Sequence, residues 1–151
     1  MKEYSKRIQI RWADIDANNH LRHSVYYDFG VILRMSFLND HGVTTAKFQE
    51  LKMGPVIFRE EAIFRREIQL EDQIIVNVEL LKTTEDFSRW SLRHQFTKAD
   101  GTHCATLHVD GAWIDLEKRK LALPTQLIRS AFDDFPKAEG FHFYIPEKKT
   151  T

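Results

Sequence analysis

Asp14-Ile-Asp-Ala-Asn-Asn-His-Leu-Arg-His-Ser-Val-Tyr-Tyr-Asp-Phe-Gly-Val-Ile-Leu-Arg34 is the stretch that decides how this chain is read. A polar loop with two aspartates, Asp14 and Asp16, and two histidines, His20 and His23, runs directly into a segment that is apolar at helical spacing. From Ser24 to Asp40, Val25, Phe29 and Ile32 form one helical row and Tyr26, Leu33 and Phe37 form another. Tyr27, Val31, Met35 and Leu38 fill much of the remaining circumference, the pattern of a helix that is enclosed. Gly42 follows as a helix stop, because glycine enters the left-handed region without a steric penalty.

Upstream of the loop, Ile8, Ile10 and Trp12 alternate with Arg7, Gln9 and Arg11, which predicts a strand from Tyr4 to Ala13 with one buried face. Downstream, Gly54-Pro55 closes a connecting stretch, and strands are expected from Val56 to Leu70, Gln73 to Thr83, Phe87 to Thr97 and Thr102 to Leu116. Ile74, Val76, Val78 and Leu80 share one face of the third strand, and Trp90, Leu92, His94 and Phe96 one face of the fourth. Asp100-Gly101 signals a hairpin. Pro124-Thr125 opens a short helix that docks one face through Leu127, Ile128, Ala131, Phe132 and Phe135. After Pro136 the tail is mixed and its end is expected to fray.

The chain has 151 residues, the size of one domain. We expect a single domain over 1–136 and a C-terminal tail over 137–151. One central apolar helix with about five long strands suggests an α+β protein whose curved antiparallel sheet wraps the helix. The 22 basic residues balance the 22 acidic ones, so no global field favours nucleic acid or an anionic membrane as partner. One cysteine, Cys104, cannot form an internal disulfide, and neither a signal-peptide stretch nor a membrane-length apolar run is present. A cytoplasmic location is expected. Zinc spacings are missing around the histidines, so no metal is expected, and Gly-rich phosphate loops and Gly-x-Ser-x-Gly elbows are also missing.

A carboxylate beside the N-terminus of a buried helix is suited to carbonyl chemistry, because the first amides of a helix lack internal partners and carry partial positive charge. The residues that carry this reading also match a known family pattern. A strand ends in an aromatic residue, followed by Asp-x-Asp-x-x-Gly-His-hydrophobic-Asn-Asn-x-x-Tyr and a long helix with an acidic residue and an arginine. Here it reads Trp12, Asp14, Asp16, Asn19, His20, Leu21, Arg22, His23 and Tyr26, with Arg34 following. Trp113-Ile-Asp-Leu-Glu-Lys-Arg-Lys with Pro124 matches the family's closing strand. The chain resembles hotdog-fold acyl-CoA thioesterases of the 4-hydroxybenzoyl-CoA thioesterase type. It departs at Asn19, where the pattern has glycine, at Arg22 and His23, where it has asparagines, and at Val31-Ile32-Leu33, where the helix glutamate is missing.

The resemblance implies hydrolysis of an acyl-CoA or acyl-pantetheine thioester without a cofactor, by a homodimer or homotetramer. It assigns catalysis to Asp16, as nucleophile or as general base, and to the backbone N–H of His23 as oxyanion donor. His20 orders the loop near the acyl group, and Tyr26 matches the tyrosine on the first helical turn. The acyl group would lie between subunits near Tyr26, Tyr27 or Phe29 and Phe58 or Phe64. From the residues themselves, Arg89 and Arg93 on one strand face, with Lys98 nearby, are candidates for the coenzyme A phosphates. Hydrolysis of a carrier-protein thioester, and a non-catalytic hotdog module that binds acyl-CoA or a protein, are the alternatives.

Overall fold

The computed structural model describes residues 3–147. Helix α1, Val25–Asp40, lies in the hollow of one eight-stranded sheet. The strands are β1 (Ser5–Ile8), β2 (Met53–Phe64), β3 (Ile74–Asn77), β4 (Glu79–Thr83), β5 (Arg89–Lys98), β6 (His103–Asp115), β7 (Lys120–Leu121) and β8 (Lys137–Phe143). Two further helices, α2 (Thr45–Leu51) and α3 (Gln126–Asp133), complete it. β2 pairs with β6, β6 with β5, and β5 with both β3 and β4, all antiparallel. The far side of β3 is covered by antiparallel β1, and that of β4 by parallel β8. This is the hotdog architecture expected from the sequence.

The helix is held by the rows read from its spacing. Val25, Tyr26, Phe29, Leu33, Phe37 and Leu38 are buried, each large one contributing about 1.5–3 kcal/mol relative to exposure. On the sheet the expected inner faces hold: Ile74, Val76, Val78 and Leu80 are fully buried, as are Trp90, Leu92, His94 and Phe96 within a few per cent. The helix ends as anticipated. Gly42 takes φ +81°, its N–H donates to Asn39 and the Val43 N–H to Leu38, so two terminal carbonyls are satisfied. The enclosure fails on one side, where Val31 and Ile32 remain 44% exposed, on the turn where the family pattern has its glutamate.

Four differences from the sequence reading have local causes. The first strand stops at Ile8, and Trp12 opens a short 3-10 turn with 80% exposure instead of continuing the buried row. Arg11 causes this by giving its backbone and side-chain N–H groups to Asp14, which tightens the chain at the point where alternation would have continued. The connection before Gly54 contains α2, opened by a Thr44 hydroxyl that accepts from the Lys47 amide. The expected strand over Gln73 to Thr83 is two strands separated at Val78, whose N–H donates to Tyr4. The stretch after Pro136 is strand β8, added to the sheet edge, while Lys148–Thr151, where fraying was expected, lies outside the described residues.

Arg34 of α1 is 7% exposed and its Nη1 lies 2.9 Å from His94 Nε2 on β5. His94 Nδ1 is 2.8 Å from the Asn77 carbonyl, which can only accept, so Nδ1 carries the proton and Nε2 accepts from the guanidinium. A side chain at Gly30 would collide with this pair, its Cβ falling 2.7 Å from Leu107 Cδ2 and 3.0 Å from Arg34 Nη1. Burial, and then the Arg34 charge, push the His94 pKa down from 6.5 to about 3. Below pH 6.5 the unfolded chain therefore binds a proton that the folded chain refuses, and stability falls as pH drops. Urea unfolding should lose about 1.4 kcal/mol per pH unit from this group between pH 6 and 4. His94→Gln, which can still accept and donate, should remove that increment of slope; an unchanged slope would contradict the assignment.

Candidate active site

The loop between β1 and α1 is built from two aspartates that face opposite ways. Asp14 is 1% exposed and receives the Arg11 amide at 2.9 Å, Nη2 at 2.9 Å and Nε at 3.3 Å. These bonds, led by the Arg11 side chain, hold its carboxyl below the usual carboxylate range. Its carbonyl accepts from the Arg22 amide at 2.7 Å, and the Arg22 guanidinium reaches back to the Ala13 carbonyl and on to the Ser24 hydroxyl. Arg22 thus fastens both ends of the loop.

Asp16 is exposed. Its Oδ1 accepts from the amides of Asn18 at 2.9 Å and His20 at 3.0 Å, the turn pattern typical of aspartate. Those bonds, the His20 amide first, hold the carboxyl below the ordinary aspartate range, and Oδ2 is left without a protein partner among the described residues. The turn requires a left-handed residue, and Asn19 supplies it at φ +63°. Asparagine is among the few side chains that tolerate this region, which explains why the loop closes without the glycine of the family pattern.

The far side of the loop is pinned to the segment after β2. The Leu21 amide donates to the Ile68 carbonyl at 2.7 Å, His20 bridges to Gln69, and His20 Nε2 lies 3.0 Å from Glu67. The chain then turns into α1 through the Val25 amide, which donates to Arg22. An asparagine at position 22 could accept an orphan amide there, but arginine carries only donors, and Ser24 makes no side-chain cap. Among the described residues the His23 amide donates to no protein acceptor.

Asp16, His20, His23 and Tyr26 line a single open cavity of about 300 Å³, together with Leu21, Ile68 and the run Phe64 to Glu67. The loop carboxylate, the helix entry and the first-turn tyrosine are brought together as the sequence suggested. Arg89 and Arg93 are elsewhere. Their strand turns Trp90, Leu92 and His94 toward the helix, so the arginines occupy the outer face, Arg89 over the Phe58 ring at 5.7 Å and Arg93 3.4 Å from Glu79. The basic residues at the cavity are Arg65 and Arg66, which the sequence reading passed over. Both of their amides donate to the Cys104 carbonyl, ending the strand and setting them at the rim. Among the described residues there is no cluster of three or more His, Cys, Asp or Glu side chains able to hold a metal ion, and no helix is long and apolar enough to cross a membrane.

A family model described as thioesterase-like superfamily matches residues 10–136. The chain belongs to that superfamily. Its fold is shared with a 1,4-dihydroxy-2-naphthoyl-CoA thioesterase from Synechocystis, at 16% identity and TM-score 0.79, over 88% of this chain and 97% of that one. A Staphylococcus aureus protein solved in complex with CoA superposes at TM-score 0.79 with 21% identity over 96% of each chain. A DHNA-CoA thioesterase from the same organism superposes at 0.78 with 14% identity, over 88% of this chain and 90% of that one. No curated protein matches the chain by sequence. Superfamily and fold together support thioester hydrolysis as the general chemistry.

Proposed function

We propose that the protein hydrolyses an acyl-CoA thioester to the free acid and coenzyme A, in the cavity shared by Asp16 and the entry to α1. The observation that carries this reading is that a carboxylate oxygen of Asp16 and the helix-entry amide of His23, both without protein partners among the described residues, belong to residues lining one cavity. The carboxylate, ionised at neutral pH, draws a proton from a water as that water attacks the carbonyl carbon. The carbonyl oxygen gains negative charge and is met by the His23 N–H, in the partial positive field of the helix N-terminus. As the intermediate collapses the C–S bond breaks, and the departing thiolate takes the proton from Asp16. No charge is left over and no cofactor is required.

Arg65 and Arg66 at the rim suit the anionic end of coenzyme A, since neither guanidinium forms an ion pair among the described residues and both are exposed. His20, tied to Glu67, holds the loop against the segment that carries them. We further propose that two copies pair along β2. This 12-residue edge strand leaves Ile57, Phe58, Ile63 and Phe64 between 38% and 55% exposed, and Val31 and Ile32 of α1 are exposed as well. A long apolar edge of this kind is an aggregation hazard unless it is covered.

Two measurements test these readings. Thiol release should be detectable with at least one member of a panel of acetyl-, octanoyl-, palmitoyl- and benzoyl-CoA, and Asp16→Asn should cut kcat by about 10²-fold or more while leaving the melting temperature unchanged. Because the His20 and Asn18 amides hold the Asp16 carboxyl below the ordinary aspartate range, its acid limb in kcat/KM should lie below that of a free aspartate; near-wild-type turnover by the variant would remove Asp16 from the mechanism. Light scattering at micromolar concentration should return at least twice the 17.8 kDa of one chain. A monomer would end the β2 pairing.

A further inference from the structure

Tyr26 sits on the first turn of α1 with its ring wedged between Phe64, at 4.9 Å edge-on, and Phe96, at 5.1 Å. The residue is 4% exposed, yet its hydroxyl has no hydrogen-bond partner among the described residues. Among the described residues the sealed polar atoms without a partner are Trp90 Nε1, Arg93 Nε and Trp113 Nε1, so the Tyr26 hydroxyl is open to the cavity. Here the residue lines the same cavity as Asp16 and His23. Burial pushes its pKa up to about 12, with Cys104 and Asp16 adding to the shift, so the phenol keeps its proton at neutral pH and offers a donor.

His23 lies in the turn that leads into α1 and Tyr26 on the first helical turn, and both line the one cavity. The Tyr26 hydroxyl and the His23 amide therefore border the same space, one from the helix and one from the turn before it. The two packed phenylalanines leave the ring little freedom to swing out of the cavity.

We propose that the Tyr26 hydroxyl is a second hydrogen-bond donor to the carbonyl oxygen of the bound thioester, acting beside the His23 amide. This rests on the hydrolytic reading above. It makes Tyr26 a catalytic residue through its oxygen alone, while its ring serves the core.

Tyr26→Phe separates the two roles because it keeps the ring contacts. We expect kcat on the best CoA thioester of the panel to fall by about 10- to 10³-fold, with KM within about threefold and the melting temperature unchanged. A merely structural role is excluded by a second readout, the methylene-for-sulfur ketone analogue of octanoyl-CoA labelled with ¹³C at its carbonyl. Its bound signal should lie further downfield in the wild type than in Tyr26→Phe, because a hydrogen bond polarises the carbonyl. Turnover within about twofold of wild type, or an unchanged carbonyl shift, would overturn the proposal while leaving hydrolysis at Asp16 intact. Absence of thiol release by the wild type itself would overturn both.

Discussion

The closure of the Asp14 carboxylate by Arg11 is the constraint on which the rest of the site depends. A buried carboxylate is costly unless it is fully hydrogen-bonded, and three N–H groups from one arginine satisfy this one. To reach them the chain must abandon its strand and coil, which exposes Trp12 and sends Asp16 to the opposite side. Asp16 then spends one oxygen on the turn and keeps the other for solvent or substrate. One aspartate fixes the loop, and the other keeps an oxygen open to the cavity.

Helix α1 performs two tasks with one sequence. Its body supplies the centre of the core, and its entry supplies unclaimed amides under the loop. The absence of a side-chain cap is consistent with both, since the packing of Val25, Phe29 and Leu33 is large compared with the roughly 1 kcal/mol a cap contributes. Arginine at position 22 makes the helix entry donor-rich, and its guanidinium fastens Ala13 to Ser24. The same helix buries Arg34 against a neutral histidine, and the hydrogen bond of that cation is received by His94.

The central elements were legible because their periods are plain. Alternation through Ile74, Val76, Val78 and Leu80 and through Trp90, Leu92, His94 and Phe96, with helical rows in α1, reflects surfaces that are buried on one side, and the core follows from them. The rest was hidden for particular reasons. α2 has one buried residue, Phe48, and so no row to detect. β8 is mostly exposed and pairs in parallel with a distant strand, which leaves no alternation. Trp12 fits the strand pattern until Asp14, three residues from Arg11, takes that neighbour's N–H groups. The Asp16 loop was legible from its motif. Arg65 and Arg66 were not, because the Cys104 carbonyl, distant in sequence, ends the strand there. Nor could a sequence reveal that the Tyr26 hydroxyl lacks a partner.

The proposed hydrolysis turns on a developing negative oxygen meeting the His23 amide at the entry to α1. The most direct measurement is an amide-resolved ¹H–¹⁵N NMR titration with a trifluoromethyl ketone analogue of octanoyl-CoA, whose hydrated form mimics the tetrahedral oxyanion. The His23 amide proton should show one of the largest downfield shifts in the spectrum, as expected for a new charge-assisted hydrogen bond. Saturating binding that left the His23 amide unmoved, with the shifts confined to another part of the sheet, would contradict the account.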